Sequence, residues 1–348
     1  MSSTCHLIPR NRLNWIPRKH RLTHEYCFFL HDEIVRILKE YEEAEAHLVK
    51  FQFNDETERE KFIDVSQSHD TITALRSLER QDIARQVILN TITMALVSDC
   101  AHHIYESLKC FEKRKFIPAF NLLRKPLIDN LLYISWMVAD EDDFYSAYTS
   151  GSPEKLTQKI IGNRRANIIH SAIEKTDLGD LITANEIVTT IYNSKNTNGL
   201  YGLFQHAVHL VTVDRIEIKT SPENFNFIFK SPNDNDLYET LYTQLPTLLL
   251  YLTQIIAKLF DRISPMDTGS QKAFSFRTIN GYRLIKSKKN ALTLAKILDK
   301  NLSQKFHYHS CKTPFSVSPH NAARLLLTDT YRCGKCKRVH PFPFSWIL

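Results

Sequence analysis

Eight glycines in 348 residues is the feature that constrains this chain most. Average usage of roughly 7% would place about three times as many, and glycine is what tight turns, bulges and phosphate-cradling loops draw on. A chain so poor in it is pushed toward long helices. Neither G-x-G-x-x-G nor G-x-x-x-x-G-K-[ST] occurs, which argues against glycine-dependent phosphate machinery. The apolar residues agree with helix. Phe28, Phe29, Ile34, Ile37, Leu38 and Leu48 recur near helical spacing opposite Glu40, Glu42, Glu43 and Glu45, predicting an amphipathic helix over 24–53. Similar patterns predict helices over 70–110, whose length suggests a break or a bundle-length rod, 120–138 with a kink at Pro126, 152–173, 184–193, 200–211 and 235–263.

Between 213 and 230 the pattern changes to alternation, with Ile216, Ile218, Phe225, Phe227 and Phe229, and predicts a small hairpin or extended loop. The most apolar stretch, 245–260, carries Thr247, Thr253, Gln254 and Lys258. It reads as a buried core helix rather than a membrane span.

Charge is unevenly spread. The chain carries +7 overall, yet from Thr268 onward there are 15 basic and 2 acidic residues, a net +13. Solubility does not need that imbalance, and a polyanion partner explains it. The first 24 residues are basic as well, with Arg10, Arg12, Arg18, Lys19 and Arg21 and no acid. Pro9 and Pro17 interrupt any amphipathic targeting helix there, so this segment reads as a basic arm on the body. Seven cysteines without a secretory segment predict a reducing, cytoplasmic setting, with Cys5, Cys27, Cys100 and Cys110 as core fillers.

The other three cysteines cluster. Cys333-Gly334-Lys335-Cys336 is a C-x-x-C turn that aims two thiolates at one cation, and Gly334 is expected to relieve backbone strain inside it. Cys311 supplies a third thiolate. Ser318-Pro319 starts a short helix in the spacer that returns the chain to the site. His309 ranks first as fourth ligand, before His340 and His307. A closed Cys3His set predicts structural rather than catalytic Zn2+ in a ribbon or treble-clef module.

Two motifs add resemblances. Leu122-Leu123-Arg124-Lys125-Pro126-Leu127-Ile128-Asp129 followed by an apolar run, and later Tyr201-Gly202-Leu203-Phe204-Gln205-His206-Ala207-Val208-His209, resemble the bacterial all-helical family of unknown function DUF family 5677 over about residues 95–262. Lys125, Asp129 and Gln205 stand where that pattern has Arg, Glu and Ser. The resemblance implies a helical bundle and brings no activity with it. Lys125 and Asp129, four apart, are expected to pair on one helix face, with His209 meeting them across the bundle. Arg165 and His170, or Arg164 and His170, look like the R-x4-6-H motif of HEPN-type ribonucleases, all-helical dimers of toxin and phage-defence systems. That resemblance implies an endoribonuclease needing no metal, with Arg165 and His170 acting at the ribose 2′-hydroxyl across a homodimer interface. The pattern occurs about as often here as composition alone gives.

The sequence thus predicts an all-α multi-helix bundle with a small C-terminal zinc module: a basic arm over 1–24, a helical body over 25–265, a basic linker and short helix over 266–304, and the module over 305–348. Nucleic acid, RNA more than DNA, is the expected partner, contacted by Lys286, Lys288, Lys289, Arg332, Lys335, Lys337 and Arg338. Phe315, Tyr331 and Trp346 are candidates for base stacking or for core. The function classes are a HEPN-like ribonuclease and a non-catalytic nucleic-acid-binding or adaptor protein.

Overall fold

The computed structural model describes residues 4–212, 220–223, 225–226, 233–306, 311 and 313–347. Among the described residues the fold is all-helical apart from one two-stranded hairpin near the C-terminus. Pro9 and Pro17 each start a short 3-10 turn, Arg10–Leu13 and Arg18–His20. Proline suits the first turn because its missing N–H is not needed there. Cys5, Ile8, Leu13 and Ile16 are buried, so this arm is part of the core. It is fastened by Glu25, whose carboxylate accepts the amides of Cys5 (2.6 Å) and Ile8 (3.3 Å).

Helix α1 (Arg21–Glu43) buries Tyr26, Phe29, Leu30, Ile34 and Ile37. The 24–53 pattern ends early, because the chain turns at Glu45 with a left-handed φ of 51°. Next come α2 (Glu56–Ser68), α3 (Thr71–Ser77) and α4 (Gln81–Phe111). The expected 70–110 helix is split by a second left-handed residue, Glu79. No residue of α2 is buried, which is why its periodicity is faint. Among the described residues α4 is the one helix long and apolar enough to cross a membrane, and it packs along α1 and α3.

The expected kink at Pro126 takes a definite form. Helix α5 (Phe116–Arg124) runs into a π-helical turn, Lys125–Asn130, and leaves as α6 (Leu131–Ala139). Proline cannot donate to the α-ladder, and the wider turn absorbs the lost bond without breaking the rod. Helices α7 (Glu141–Thr149), α8 (Gln158–Ile161), α9 (Arg165–Glu174), α10 (Ala184–Ile191) and α11 (Tyr201–Val208) follow. Ile216, Ile218, Phe227 and Phe229 of the expected hairpin lie outside the described residues. Flanking residues are joined by Thr220 N–H to Thr212 O (2.9 Å) and Asn226 N–H to Leu210 O (2.7 Å).

Helix α12 (Asp236–Asp261) is the centre of the core, buried at nearly every position from Leu245 to Phe260, as its composition predicts. The basic stretch after it is itself a helix, α13 (Thr268–Lys286), followed by α14 (Lys288–Leu302). α13 is docked on α1 and α12. Tyr26 donates to Thr278 O (2.8 Å), Gln254 to Thr278 Oγ1 (2.8 Å), and Tyr282 and Thr247 share a hydroxyl bond (2.8 Å). Helix α15 (Pro319–Thr328) starts as expected, with Ser318 Oγ accepting Asn321 N–H (3.3 Å). It ends at left-handed Asp329, after which β1 (Thr330–Arg332) pairs antiparallel with β2 (Val339–Pro341), Tyr331 opposite His340.

Candidate metal centre

The hairpin brings the C-x-x-C turn back against the segment that precedes α15. Cys311, Cys333 and Cys336 place their sulfurs within 4.8 Å of one another, and Sγ of Cys311 and Cys333 are 3.5 Å apart. For thiolates at about 2.3 Å from one tetrahedral ion the sulfur–sulfur edge is about 3.8 Å. All three are free thiols. Around Cys333 the backbone is already arranged for a thiolate, since the amides of Lys335 (3.3 Å) and Cys336 (3.4 Å) both point at its sulfur. Burial pushes this thiol up, but those amides and the Cys311 thiol outweigh it and bring it down to about 7. The donor set therefore fits a thiophilic metal ion.

Backbone strain sits elsewhere than expected. Gly334 has an ordinary negative φ; the left-handed residue is Lys337, at 62°, where the chain leaves the turn. That conformation lets Lys337 N–H reach Cys333 O (3.1 Å) and Cys333 N–H reach Arg338 O (2.9 Å), closing the turn under the sulfurs. Phe315 and Tyr331 stack at 4.0 Å, buried beneath the site, which makes them core rather than stacking platforms. Trp346 is 87% exposed. Of the expected fourth ligands, His307 and His309 lie outside the described residues. His340, on β2, is not a member of the cluster among the described residues.

The other candidates disperse. Lys125 Nζ bonds Asp99 Oδ1 (2.8 Å), not Asp129, which is held by Gln158 Nε2 (3.2 Å) with Arg124 at 3.9 Å. The π-turn rotates positions 125 and 129 off a common α-helical face, so four-residue spacing no longer pairs them. His209 is exposed at the end of α11, away from any such pair, where its carbonyl accepts Asn226 Nδ2 (2.7 Å). At the start of α9, the Arg165 guanidinium lies 4.5 Å over the Tyr192 ring and donates to Gln158 O (2.8 Å). His170, further along, is exposed beside Glu174 (3.4 Å).

The basic residues divide into two groups. In the body many are ion-paired, Arg12 with Glu112, Arg36 with Glu33 and Glu40, Arg80 with Glu58, Arg85 with Glu141, while Lys113, Lys115, Lys155 and Lys159 are exposed with no ion pair among the described residues. Lys286, Lys288, Lys289, Lys335 and Lys337 are exposed and make no ion pair among the described residues. Arg338 is exposed too, and half-buried Arg332 donates Nε to Lys337 O (3.2 Å). Spacing along the chain gave no sign of one further neighbourhood, in which Arg332 shares a cleft with Arg10, Arg18 and Arg21.

No family model matches the chain, and neither a curated protein nor a solved structure is matched. The likeness to DUF family 5677 is accordingly a likeness of two motifs.

Proposed function

We propose that the chain is a non-catalytic nucleic-acid-binding protein whose C-terminal module is folded around a structural zinc ion. Three convergent sulfurs suit a soft, tetrahedral ion, and His309 two residues before Cys311 is the preferred fourth ligand, ahead of His340 and His307. A site closed by four protein ligands has no position for water, so its role is to hold the hairpin together. The observation that carries the binding reading is the set of exposed lysines with no ion pair among the described residues, Lys286, Lys288, Lys289, Lys335 and Lys337, in a stretch that from Thr268 onward has 15 basic and 2 acidic residues. Such charges contact phosphates without reading sequence. Exposed Trp346 favours single-stranded RNA over duplex DNA, because an indole face stacks on unpaired bases.

A HEPN-like ribonuclease is the weaker reading, since Arg165 is committed to Tyr192 and Gln158. Binding of a single-stranded RNA oligonucleotide, measured from 50 to 200 mM salt, tests the proposal. The affinity is expected to fall linearly on a log–log plot, with the slope shrinking by about 0.7 for each phosphate that Lys288→Ala/Lys289→Ala/Lys335→Ala leaves unneutralised. An affinity that ignores both salt and these substitutions overturns it. RNA cleavage by wild type that disappears in His170→Ala would reinstate the ribonuclease. Metal analysis of the purified protein should find one zinc per chain, lost in Cys333→Ser/Cys336→Ser.

A further inference from the structure

The N-terminal arm and the metal module meet, and a cavity of about 380 Å³ opens between them, lined by Thr4, His6, Arg10, Arg18, Arg21 and Arg332. Four arginines line one small space and no carboxylate does, with Arg21 and Arg332 each giving their Nε–H to a backbone carbonyl, Ile16 O (3.0 Å) and Lys337 O (3.2 Å). The arm's remaining cations show what neutralisation looks like here: Arg12 is paired with Glu112 and Lys19 with Glu239. Arg10, Arg18, Arg21 and Arg332 make no ion pair among the described residues. The carboxylate that anchors the arm, Glu25, is taken up by backbone amides of Cys5 and Ile8. Cations gathered around a concave space with no carboxylate create a positive local potential, which draws an anion.

Two imidazoles register the same field. His6 and His320 both sit below their ordinary value of 6.5, His320 down to about 4. Burial is the largest cause for each, and Arg324 and Arg332 add to it. Arg324 stands behind the cleft, 4% exposed, tying the two segments together through Cys5 O (2.7 Å).

We propose that this cleft binds a terminal phosphate or polyphosphate group, carried by a free nucleotide or by the phosphorylated end of a nucleic-acid strand. Guanidinium forks match phosphate oxygens two at a time, and several converging forks suit a group bearing two or more charges on closely spaced oxygens. A volume of this size admits a nucleotide-sized group but not a duplex. None of the lysines assigned to strand binding lines the site, although Arg332 bonds the backbone of Lys337, and the site stands if that assignment fails, because inorganic tripolyphosphate reads it alone.

Calorimetric titration of the full-length, metal-loaded protein with inorganic tripolyphosphate at constant ionic strength tests the cleft. One saturable site is expected, weakened at least about tenfold in Arg10→Ala/Arg18→Ala and unchanged in Lys288→Ala/Lys289→Ala. Absence of saturable binding, or equal losses in the two variants, overturns the proposal. Should the arginine variant lose its thermal unfolding midpoint, arginine modification of the wild type by phenylglyoxal, mapped by mass spectrometry, replaces it: tripolyphosphate must protect Arg10 and Arg18. Oligonucleotides with a 5′-phosphate or a 5′-hydroxyl identify the carrier. Preference for the phosphate, lost with Arg10 and Arg18, supports the strand end; tripolyphosphate binding without that preference supports a free nucleotide.

Discussion

Lys337 holds a left-handed φ of 62° where glycine would be unstrained, and a side chain there costs about 1 kcal/mol. Lys337→Gly should therefore stabilise the metal module by about that amount while weakening RNA binding, a split that chelator competition and RNA titration read separately. In the core, Glu112 gathers Arg12 (2.6 Å) and His24 (3.5 Å), with Tyr242 bonding the other ring nitrogen of His24 (2.7 Å). Removing one partner of so enclosed a pair is costly, so Arg12→Ala should lower unfolding free energy by on the order of 3 kcal/mol in urea titration. Burial lowers His24 below 6.5, despite Glu112, and His320 falls to about 4. Both rings stay neutral in the folded chain where the unfolded chain takes up protons, so their contribution is complete above pH 6.5 and is lost as pH falls below it. Burial raises Glu112, but hydrogen bonds from His24 and Arg12 outweigh it and hold the carboxyl below 4.5; its contribution is present above that value and is lost under stronger acid. The urea midpoint should decline from pH 7 to pH 5, and a flat profile there would contradict this assignment.

Among the elements, the packing of α13 on α1 depends on one absent methyl. A Cβ on Gly281 would lie 2.8 Å from the ring of buried Tyr26. Gly281→Ala should cost about 1–3 kcal/mol, measurable as a lowered urea midpoint with the helical circular-dichroism signal intact. The sequence showed little of this packing, since the lysines and arginines of α13 blur its apolar face and the segment reads as a linker. α2 escaped for a related reason, having no buried side to display. Helices with a broad apolar stripe, α1 and α12 above all, were plain from spacing. So were the Pro126 irregularity and the Ser318 cap, because each follows from a property of one residue rather than of the fold. The three cysteines were legible for the same reason, whereas the strained position in their turn was not: a lysine with positive φ has no signature in composition.

At the level of the whole molecule, metal loss should not dissolve the helical body. α15 is buried from Asn321 to Leu327 and belongs to the main core, while the hairpin has three residues in each strand, of which Tyr331 alone is buried. Structural zinc contributes on the order of 10 kcal/mol to sites of this kind. Chelation should therefore release amide protection in β1, β2 and the C-x-x-C turn first, with α12 unchanged, in hydrogen-exchange mass spectrometry. The arginine cleft is the feature least accessible to sequence reading, since Arg332 joins Arg10 and Arg18 only through the folded tertiary structure. The bond from Arg324 to Cys5 O spans 319 residues. In synthesis Arg324 follows Cys5 by that distance, so this tie is made late, whereas Glu25 is close enough in sequence to take the Cys5 and Ile8 amides early. The arm is thus seated in two stages, a local clasp at the start of α1 and a distant one that waits for α15.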